Sequence, residues 1–132
     1  MPETRSKTGN AEGNIHVAVF VKPGAAAGGV LECTAADKPM GISFKDTRRS
    51  DYVDTSGYAA ESGEPVSYYT QAAECWLQLV GTVAVGDLLS PSTNGAGIVC
   101  GHDTISYGAR ALEAGVSGDF IKVEIVERFY MA

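Results

Sequence analysis

The sequence predicts an all-β fold: a small barrel or sandwich of short strands, of the β-tulip or β-clip-like kind. Short apolar and β-branched runs recur along the chain, and sixteen glycines interrupt them. The last run, DFIKVEIVE, alternates cleanly, with Ile121, Val123 and Ile125 on one face and Lys122 and Glu124 on the other. The 132 residues fit a single domain.

The chain opens with a polar segment, residues 1–14, that lacks apolar periodicity. Such a composition buries too little apolar surface to offset the entropy of ordering, so a flexible N-terminal arm is predicted. The next segment, IHVAVFVK (15–22), is β-branched and apolar, which is typical of a strand, and Pro23-Gly24 ends it. A single β-rich domain is therefore expected over residues 15–132.

Seven further runs of strand length follow, separated by Gly, Pro, Asp or Asn. They are GVLECT (29–34), MGISF (40–44), PVSYYT (65–70), CWLQLVGTV (75–83), GIVC (97–100), ISYGARA (105–111) and DFIKVEIVE (119–127). Asn94-Gly95 favours a type I′ hairpin, because both residues tolerate positive φ. The segment GARALEAG (108–115) is helical in pattern but short, and it fits equally a strand that runs into a turn.

An internal repeat relates residues 24–70 to residues 86–127. The overlay pairs Gly29 with Gly97, Asp37 with Asp103, Gly41 with Gly108, Ser62-Gly63-Glu64 with Ser117-Gly118-Asp119, and Val66, Tyr68 and Thr70 with Ile121, Val123 and Ile125. The first copy is longer by twelve residues, which fall within KDTRRSDYVDTSGYAAE. Two such copies would form a pseudo-symmetric barrel in which the first carries a long charged loop.

The charge distribution argues against a nucleic-acid partner. The net charge is −6, made up of +2 over residues 1–50 and −8 over residues 51–132. An acidic second half does not neutralise phosphate. The distribution is explained either by a solvated acidic surface or by a slightly basic segment that meets an acidic partner while the rest faces water. No apolar run is long enough to span a membrane, and the first residues do not resemble a signal peptide. The protein is therefore expected to stay in the compartment where it is made.

No catalytic, cofactor or metal site is predicted. His16 lies in a strand, and CGHD (100–103) is best explained as a turn whose aspartate caps backbone amides. The cysteines Cys33, Cys75 and Cys100 show no metal-ligand spacing and are expected to be reduced and buried. The aromatic residues are interpreted as core or interface residues; they include Tyr52, Tyr58, Tyr68, Tyr69, Trp76 and Tyr107.

The segments GTVAVGDLLSPSTNGAGIV and ISYGARALEAGVSGDFIKVEI resemble the small capsid decoration, or cement, proteins of tailed bacteriophages. The resembling positions are Val83, Gly86, Asp87 and Leu89, then Asn94-Gly95, then Gly108, Ala109 and Ala111–Ala114, then Asp119–Ile125. ADKPMGIS (36–43) and GEPVSYY (63–69) resemble the other half of that family. The arm and the loop 45–61 have no counterpart in it.

The resemblance implies a non-enzymatic virion protein on the capsid surface, made in the host cytoplasm. It would bind the major capsid protein as a homotrimer and stabilise the mature icosahedral shell, without nucleic acid, membrane or cofactor. The arm and the charged loop are expected to supply the capsid contacts. The candidate contact residues are Thr4, Arg5, Lys7, Asn10, Asn14, Arg48, Arg49 and Tyr52.

Two alternatives stay open at this point. In the first alternative, the chain is a β-clip-like or lectin-like module, in which Trp76 and the tyrosines bind a small molecule or a glycan on the outer face of the head. For the loop, Arg48 and Arg49 are also explained as solvated ion pairs with Asp46, Asp51 and Asp54.

Overall fold

The computed structural model describes residues 6–34, 39–44, 58–70, 74–92, 95–99 and 107–128, with only the backbone at residues 58, 107, 108 and 126–128. These residues form twelve strands and no helix, which confirms the all-β fold. The strands are β1 (Ser6–Ala11), β2 (Ile15–His16), β3 (Phe20–Pro23), β4 (Gly29–Glu32), β5 (Gly41–Ser43), β6 (Tyr58–Ala60), β7 (Pro65–Tyr69), β8 (Glu74–Gln78), β9 (Leu88–Pro91), β10 (Gly97–Val99), β11 (Tyr107–Ala111) and β12 (Phe120–Arg128).

Five strands of the first half close into a barrel in the order β1-β4-β3-β5-β7, and we call it barrel 1. Strand β1 runs parallel to β4 and antiparallel to β7, so it closes the ring. The other pairs, β3 with β4 and β5, and β5 with β7, are antiparallel. A small two-stranded sheet of β2 and β6 lies beside the barrel.

Five strands of the second half form a sheet in the order β10-β9-β11-β12-β8, which we call barrel 2. Within the described residues, this sheet is not closed by a pair of strands as barrel 1 is. Its two edges approach at one isolated parallel bridge between Leu79, which directly follows β8, and Gly97 of β10, where the Val80 N–H donates to the Gly97 carbonyl at 2.9 Å. The segment with a helical pattern contains strand β11 and then a turn, because Ala109 and Ala111 pair with β12.

Strand β1 lies where the sequence suggested a flexible arm. Residues Ser6–Asn10 pair with Tyr69–Pro65 of β7, and Asn10 and Ala11 also pair with β4. The strand is ordered through its backbone on both sides, so it needs few apolar side chains, and only Ala11 among its residues is buried. The structure therefore differs from the expectation over residues 6–11.

The two barrels share strand order and strand direction, with β1, β4, β3, β5 and β7 matching β8, β10, β9, β11 and β12. Backbone pairing fixes the register: Pro23 faces Val30 as Pro91 faces Gly97, and Ser43 faces Tyr68 as Ala111 faces Val123. Val66 thus matches Ile121, as in the sequence overlay.

Two glycines of the overlay are one residue out of register. Gly41 faces Val21 as Ala109 faces Leu89, so Gly41 matches Ala109 and not Gly108. By the same pairing Gly29 matches Ala96. The two barrels differ in length mainly between Phe44 and Ala60, which match Leu112 and Gly115. Residues 45–59 lie between the first two, whereas only residues 113 and 114 lie between the second two.

Two clusters of buried side chains hold the molecule together. The core of barrel 1 contains Ala11, Ile15, Val17, Val19, Val21, Val30, Ala59, Ala60, Val66 and Tyr68. The core of barrel 2 also takes in Phe20, Cys33 and Ile42 from the outer side of barrel 1, with Tyr69 packed against it. The two barrels therefore share one continuous packed region, and this region positions the surfaces described next.

Candidate interaction surfaces

Three turns have the same construction, in which a carboxylate caps the turn it belongs to. In Ala84–Asp87 the Asp87 N–H donates to the Ala84 carbonyl at 3.1 Å, and the Asp87 carboxylate accepts the Ala84 N–H at 2.9 Å. Glu61–Glu64 and Val116–Asp119 repeat both hydrogen bonds. The third residue of each turn is a glycine with φ of 90° or 91°, a conformation that favours glycine.

In barrel 1 the matching turn, His16–Val19, is capped by side chains that lie outside the turn. The Glu32 carboxylate accepts the His16 N–H at 2.5 Å, in place of a carboxylate at position 19. The buried Ser43 hydroxyl accepts the Val19 N–H at 3.1 Å and donates to the His16 carbonyl at 2.7 Å, so it bridges the turn. Ala18 takes the place of Gly86 with φ 54°, the one positive φ among described residues other than glycine.

The turn His16–Val19, which we call docking turn 1, joins barrel 1 to barrel 2. The Gln78 N–H donates to the Ala18 carbonyl at 2.7 Å, and the Gln78 side-chain amide donates to the Val17 carbonyl at 3.0 Å. On the other side, a Cβ at Gly95 would stand 2.7 Å from the Phe20 carbonyl oxygen. Docking turn 1 thus fits closely between β8 and the β9–β10 turn.

The corresponding turn of barrel 2, Ala84–Asp87, has no such hydrogen-bonded cover from the residues that the structure describes, and we call it docking turn 2. Val85 is 67% exposed, whereas its counterpart Val17 is 8% exposed. Val116 and Leu112 are also exposed, and the hydrogen bonds between Val83 and Gly115 bring these residues to the same end of the barrel. This apolar end is a candidate interaction surface.

A second exposed apolar strip follows the junction of β8 and β10. Val80, Ile98 and Val99 are each between 38% and 44% exposed. At the matching positions barrel 1 has Glu12, Leu31 and Glu32, and both acids cap backbone N–H groups there. The strip, which we call the apolar seam, is therefore particular to barrel 2.

Three of the eight candidate capsid-contact residues lie in the described part of the chain. Lys7 and Asn10 are exposed on β1. Asn14 accepts the Ser62 N–H at 3.1 Å, so it has a structural role in barrel 1. Thr4, Arg5, Arg48, Arg49 and Tyr52 lie outside the described residues.

The described residues contain little that resembles catalytic chemistry. Burial raises the pKa of the Cys75 thiol to about 12, the opposite of an activated nucleophile. His16 Nδ1 lies 2.5 Å from the Glu32 carboxylate, which also caps the docking turn. Within the described residues no group of three His, Cys, Asp or Glu side chains is placed to hold a metal. CGHD lies outside them.

The aromatic side chains that the lectin-like alternative would use to bind a ligand lie in different environments. Trp76 lies on the outer face of β8 with the Lys122 ammonium 5.3 Å from its ring centroid. Tyr68 is buried in the core of barrel 1, and Tyr69 stacks on Phe44 with ring centroids 4.4 Å apart. No helix in the part of the chain that the structure describes is long and apolar enough to cross a membrane.

The fold resembles that of a phage head protein. No protein-family model matches the sequence, and no curated protein matches it. Among solved structures, the N base of head fiber gp8.5 of bacteriophage phi29 superposes with a TM-score of 0.69 at 14% sequence identity. The alignment covers 96% of this chain and 98% of that one, so the likeness extends over both barrels. At this identity it establishes a shared fold.

Sequence reasoning missed both the docking turns and the apolar seam. For docking turn 2 a signal was present, since VGD places an acid after a glycine, as SGE and SGD do at the other two self-capped turns. Docking turn 1, with the sequence HVAV, carries no such signal. For the exposed valines no such signal exists, because Val85 and Val80 occur in apolar stretches that read as strand interior.

Proposed function

We propose that this chain is a non-enzymatic structural protein of a tailed-phage head, which binds the capsid surface as a homotrimer and stabilises the shell. The observation that carries the proposal is the end-to-end structural likeness to the N base of the phi29 head fiber. The resemblance of the second half to capsid decoration proteins points to the same location. The partner would be the major capsid protein.

The construction of the molecule suits a clamp. Backbone pairing closes barrel 1, and self-capped turns fix the corners of barrel 2, so exposed surfaces are held in place with little conformational freedom. Several weak contacts per trimer would then add through effective concentration. Binding to the mature lattice alone would stabilise that lattice by mass action.

The capsid contacts are proposed for the polar first residues, the charged loop and the exposed Lys7 of β1. Thr4 and Arg5 precede β1, while Arg48, Arg49 and Tyr52 fall in the segment that barrel 2 lacks. Asn14 is kept in this group only because of its position in the sequence, since its side chain already accepts the Ser62 N–H.

The test is co-sedimentation of purified protein with heads of the virus that encodes it, prepared without this protein, in immature and mature forms. We expect binding to mature heads and an increase in the temperature at which those heads release DNA. The double variant Arg48→Glu/Arg49→Glu should bind weakly, while Lys22→Glu, a charge reversal on β3, should bind as the native chain does. Absence of binding to both head forms would refute the proposal.

A glycan array and a ligand-induced melting shift separate this function from the lectin-like alternative. The proposed function predicts no response to either, and a Trp76→Ala variant that still binds heads. A glycan hit lost in Trp76→Ala, without head binding, would favour the alternative.

A further inference from the structure

We propose that copies of this chain bind one another head to tail, with docking turn 2 of one copy seated on barrel 1 of the next. The contact would repeat, between copies, the turn-and-acceptor part of the junction that already joins barrel 1 to barrel 2 within the chain. That part consists of docking turn 1 and the acceptor formed by Gln78 and Gly95, and it lies beside the apolar face of Phe20, Ile42 and Tyr69, whose counterpart in barrel 2 is charged.

Each part of that junction has a counterpart elsewhere in the chain: docking turn 2 is exposed, and the second acceptor is exposed at its surface although its Asn10 N–H already has a partner in the β3–β4 turn. Docking turn 2 matches docking turn 1, because Asp87 accepts the Ala111 N–H as Val19 accepts the Ser43 N–H. Val85, the counterpart of the covered Val17, is the most exposed large apolar side chain among the described residues. Docking turn 2 therefore has the backbone geometry of docking turn 1, and its Val85 side chain is left exposed where the described part of the chain buries Val17.

The acceptor is duplicated in barrel 1 at Asn10 and Gly28. Asn10 faces Pro65 as Gln78 faces Phe120, and both partners directly follow the acid of a capped turn. Gly28 and Gly95 both have φ 77° and both precede the residue that closes the hairpin. Asn10 and Gly28 are exposed, and a Cβ at Gly28 would meet nothing within 4 Å.

One hydrogen bond distinguishes the two acceptors. In barrel 2 the Gln78 N–H donates to the Ala18 carbonyl of docking turn 1, whereas in barrel 1 the Asn10 N–H donates to the Gly28 carbonyl at 2.9 Å. When docking turn 2 binds in the geometry of docking turn 1, the Asn10 N–H gives up its hydrogen bond to the Gly28 carbonyl and donates instead to the Gly86 carbonyl of the incoming copy. The exchange keeps the Asn10 N–H paired and frees the Gly28 carbonyl, so it costs at most one acceptor.

The contact uses different surfaces on the two partners, so it is heterologous, and it gives a ring where the rotation from copy to copy closes. Three copies would place six barrels around one axis, with every junction of the same kind. The inference deepens the homotrimer of the proposed function, but it concerns only contacts between copies and is tested without capsids.

The first test is light scattering after size exclusion of the whole chain and two valine variants. We expect a closed oligomer for the native chain, a monomer for Val85→Asp, and the native oligomer for Val80→Asp, which changes an exposed valine of the apolar seam. Gly28→Asn adds a side chain to the acceptor and should also give a monomer, while Gly63→Asn, at an equally open glycine with positive φ, should not.

The second test fixes the direction of the contact by cross-linking in a Cys100→Ser background. The double variant Asn10→Cys/Val85→Cys should form a ladder of covalent multimers that ends at the size of the ring. Each single variant should form none, and a mixture of the two singles should form dimers only. Symmetric dimers from Val85→Cys alone, or a monomeric native chain, would overturn the inference.

The two proposals fail in different ways. A head-to-tail ring that does not bind phage heads would leave this inference standing and remove the proposed function. Head binding by a native chain that is monomeric in solution would do the reverse.

Discussion

Barrel 1 and barrel 2 have the same strand order, but their corresponding outer faces differ in chemistry. Barrel 1 presents Phe20, Ile42 and Tyr69, and these side chains pack into the core of barrel 2. The matching residues of barrel 2 are Leu88, Arg110 and Glu124, and the last two form an ion pair at 2.6 Å. The same strand arrangement thus has an outer face that is buried within the chain in barrel 1 and a polar outer face in barrel 2, and the side chains on that face make the difference.

The turns of the two barrels give a second lesson. Barrel 2 caps its turns with Asp87 and Asp119 from within the turn. Barrel 1 reaches the same result at docking turn 1 with Glu32 and Ser43 from other strands. What recurs is an acceptor for the first N–H of the turn, and the residue that supplies it is free to change.

The largest effect is expected at the centre of the shared face, for Ile42→Ala. Ile42 is fully buried between the barrels, so its truncation removes apolar contacts and leaves a cavity. We expect a loss of about 2–5 kcal/mol in the free energy of unfolding, measured by urea titration. The control is Ile98→Ala, at a partly exposed isoleucine, which should lose much less. Equal losses would show that the barrels do not share a core.

A smaller loss is expected for Ser43→Ala, which breaks the bridge in docking turn 1. The hydroxyl is fully buried and serves both the Val19 N–H and the His16 carbonyl, so its removal leaves buried polar groups without partners. We expect about 1–3 kcal/mol in the same assay. Ser67→Ala is the matched control, because the Ser67 hydroxyl makes only an exposed contact with Thr8. A stable Ser43→Ala variant would mean that the turn closes without it.

The fold class was predictable because alternation and glycine spacing are local signals. Ile121, Val123 and Ile125 face the core as the alternation predicted, and Val66 and Tyr68 face the core of barrel 1. Gly86, Gly95 and Gly118 have the positive φ that their turn contexts required. The Gly95 N–H, however, donates to the Ser92 carbonyl, which is not the pairing of a two-residue hairpin at Asn94-Gly95.

The rest depended on distant partners, which the sequence does not reveal. Strand β1 is polar and is ordered by β4 and β7, from residues 29 and 65 onward. The exposure of Val85 follows from which barrel docks on which, because its counterpart Val17, in the turn that docks on barrel 2, is buried while Val85 is left exposed. Among the candidate contact residues, only those on β1 and Asn14 acquired surroundings that the structure describes.

A pH-dependent effect is expected for Glu12→Gln. The Ala26 and Ala25 N–H groups hydrogen-bond the Glu12 carboxylate and hold the pKa of that group below its ordinary value. A lowered pKa adds stability at pH values above the unfolded-state pKa, and this stability is lost as the pH falls through the folded-state pKa.

The variant should therefore melt below the native chain near neutral pH, and the difference should shrink as the pH is lowered through the range where glutamate titrates. Melting curves at several pH values measure it. Glu113→Gln, at an exposed glutamate, controls for the loss of one negative charge. A difference that stays constant with pH would show that the hydrogen bonds to Ala25 and Ala26 do not depend on the charge.

The smallest effect is expected for the counterpart of Ile42, Arg110. The Arg110 guanidinium is half exposed and donates to the Glu124 carboxylate at 2.6 Å, so water and salt weaken the attraction. A double-mutant cycle with Arg110→Ala and Glu124→Ala, made in the Val85→Asp background that is expected to be monomeric, should give a coupling of about 0.2–1 kcal/mol that declines as salt is added. A coupling of several kcal/mol, insensitive to salt, would mean that the ion pair is shielded from water within the single chain.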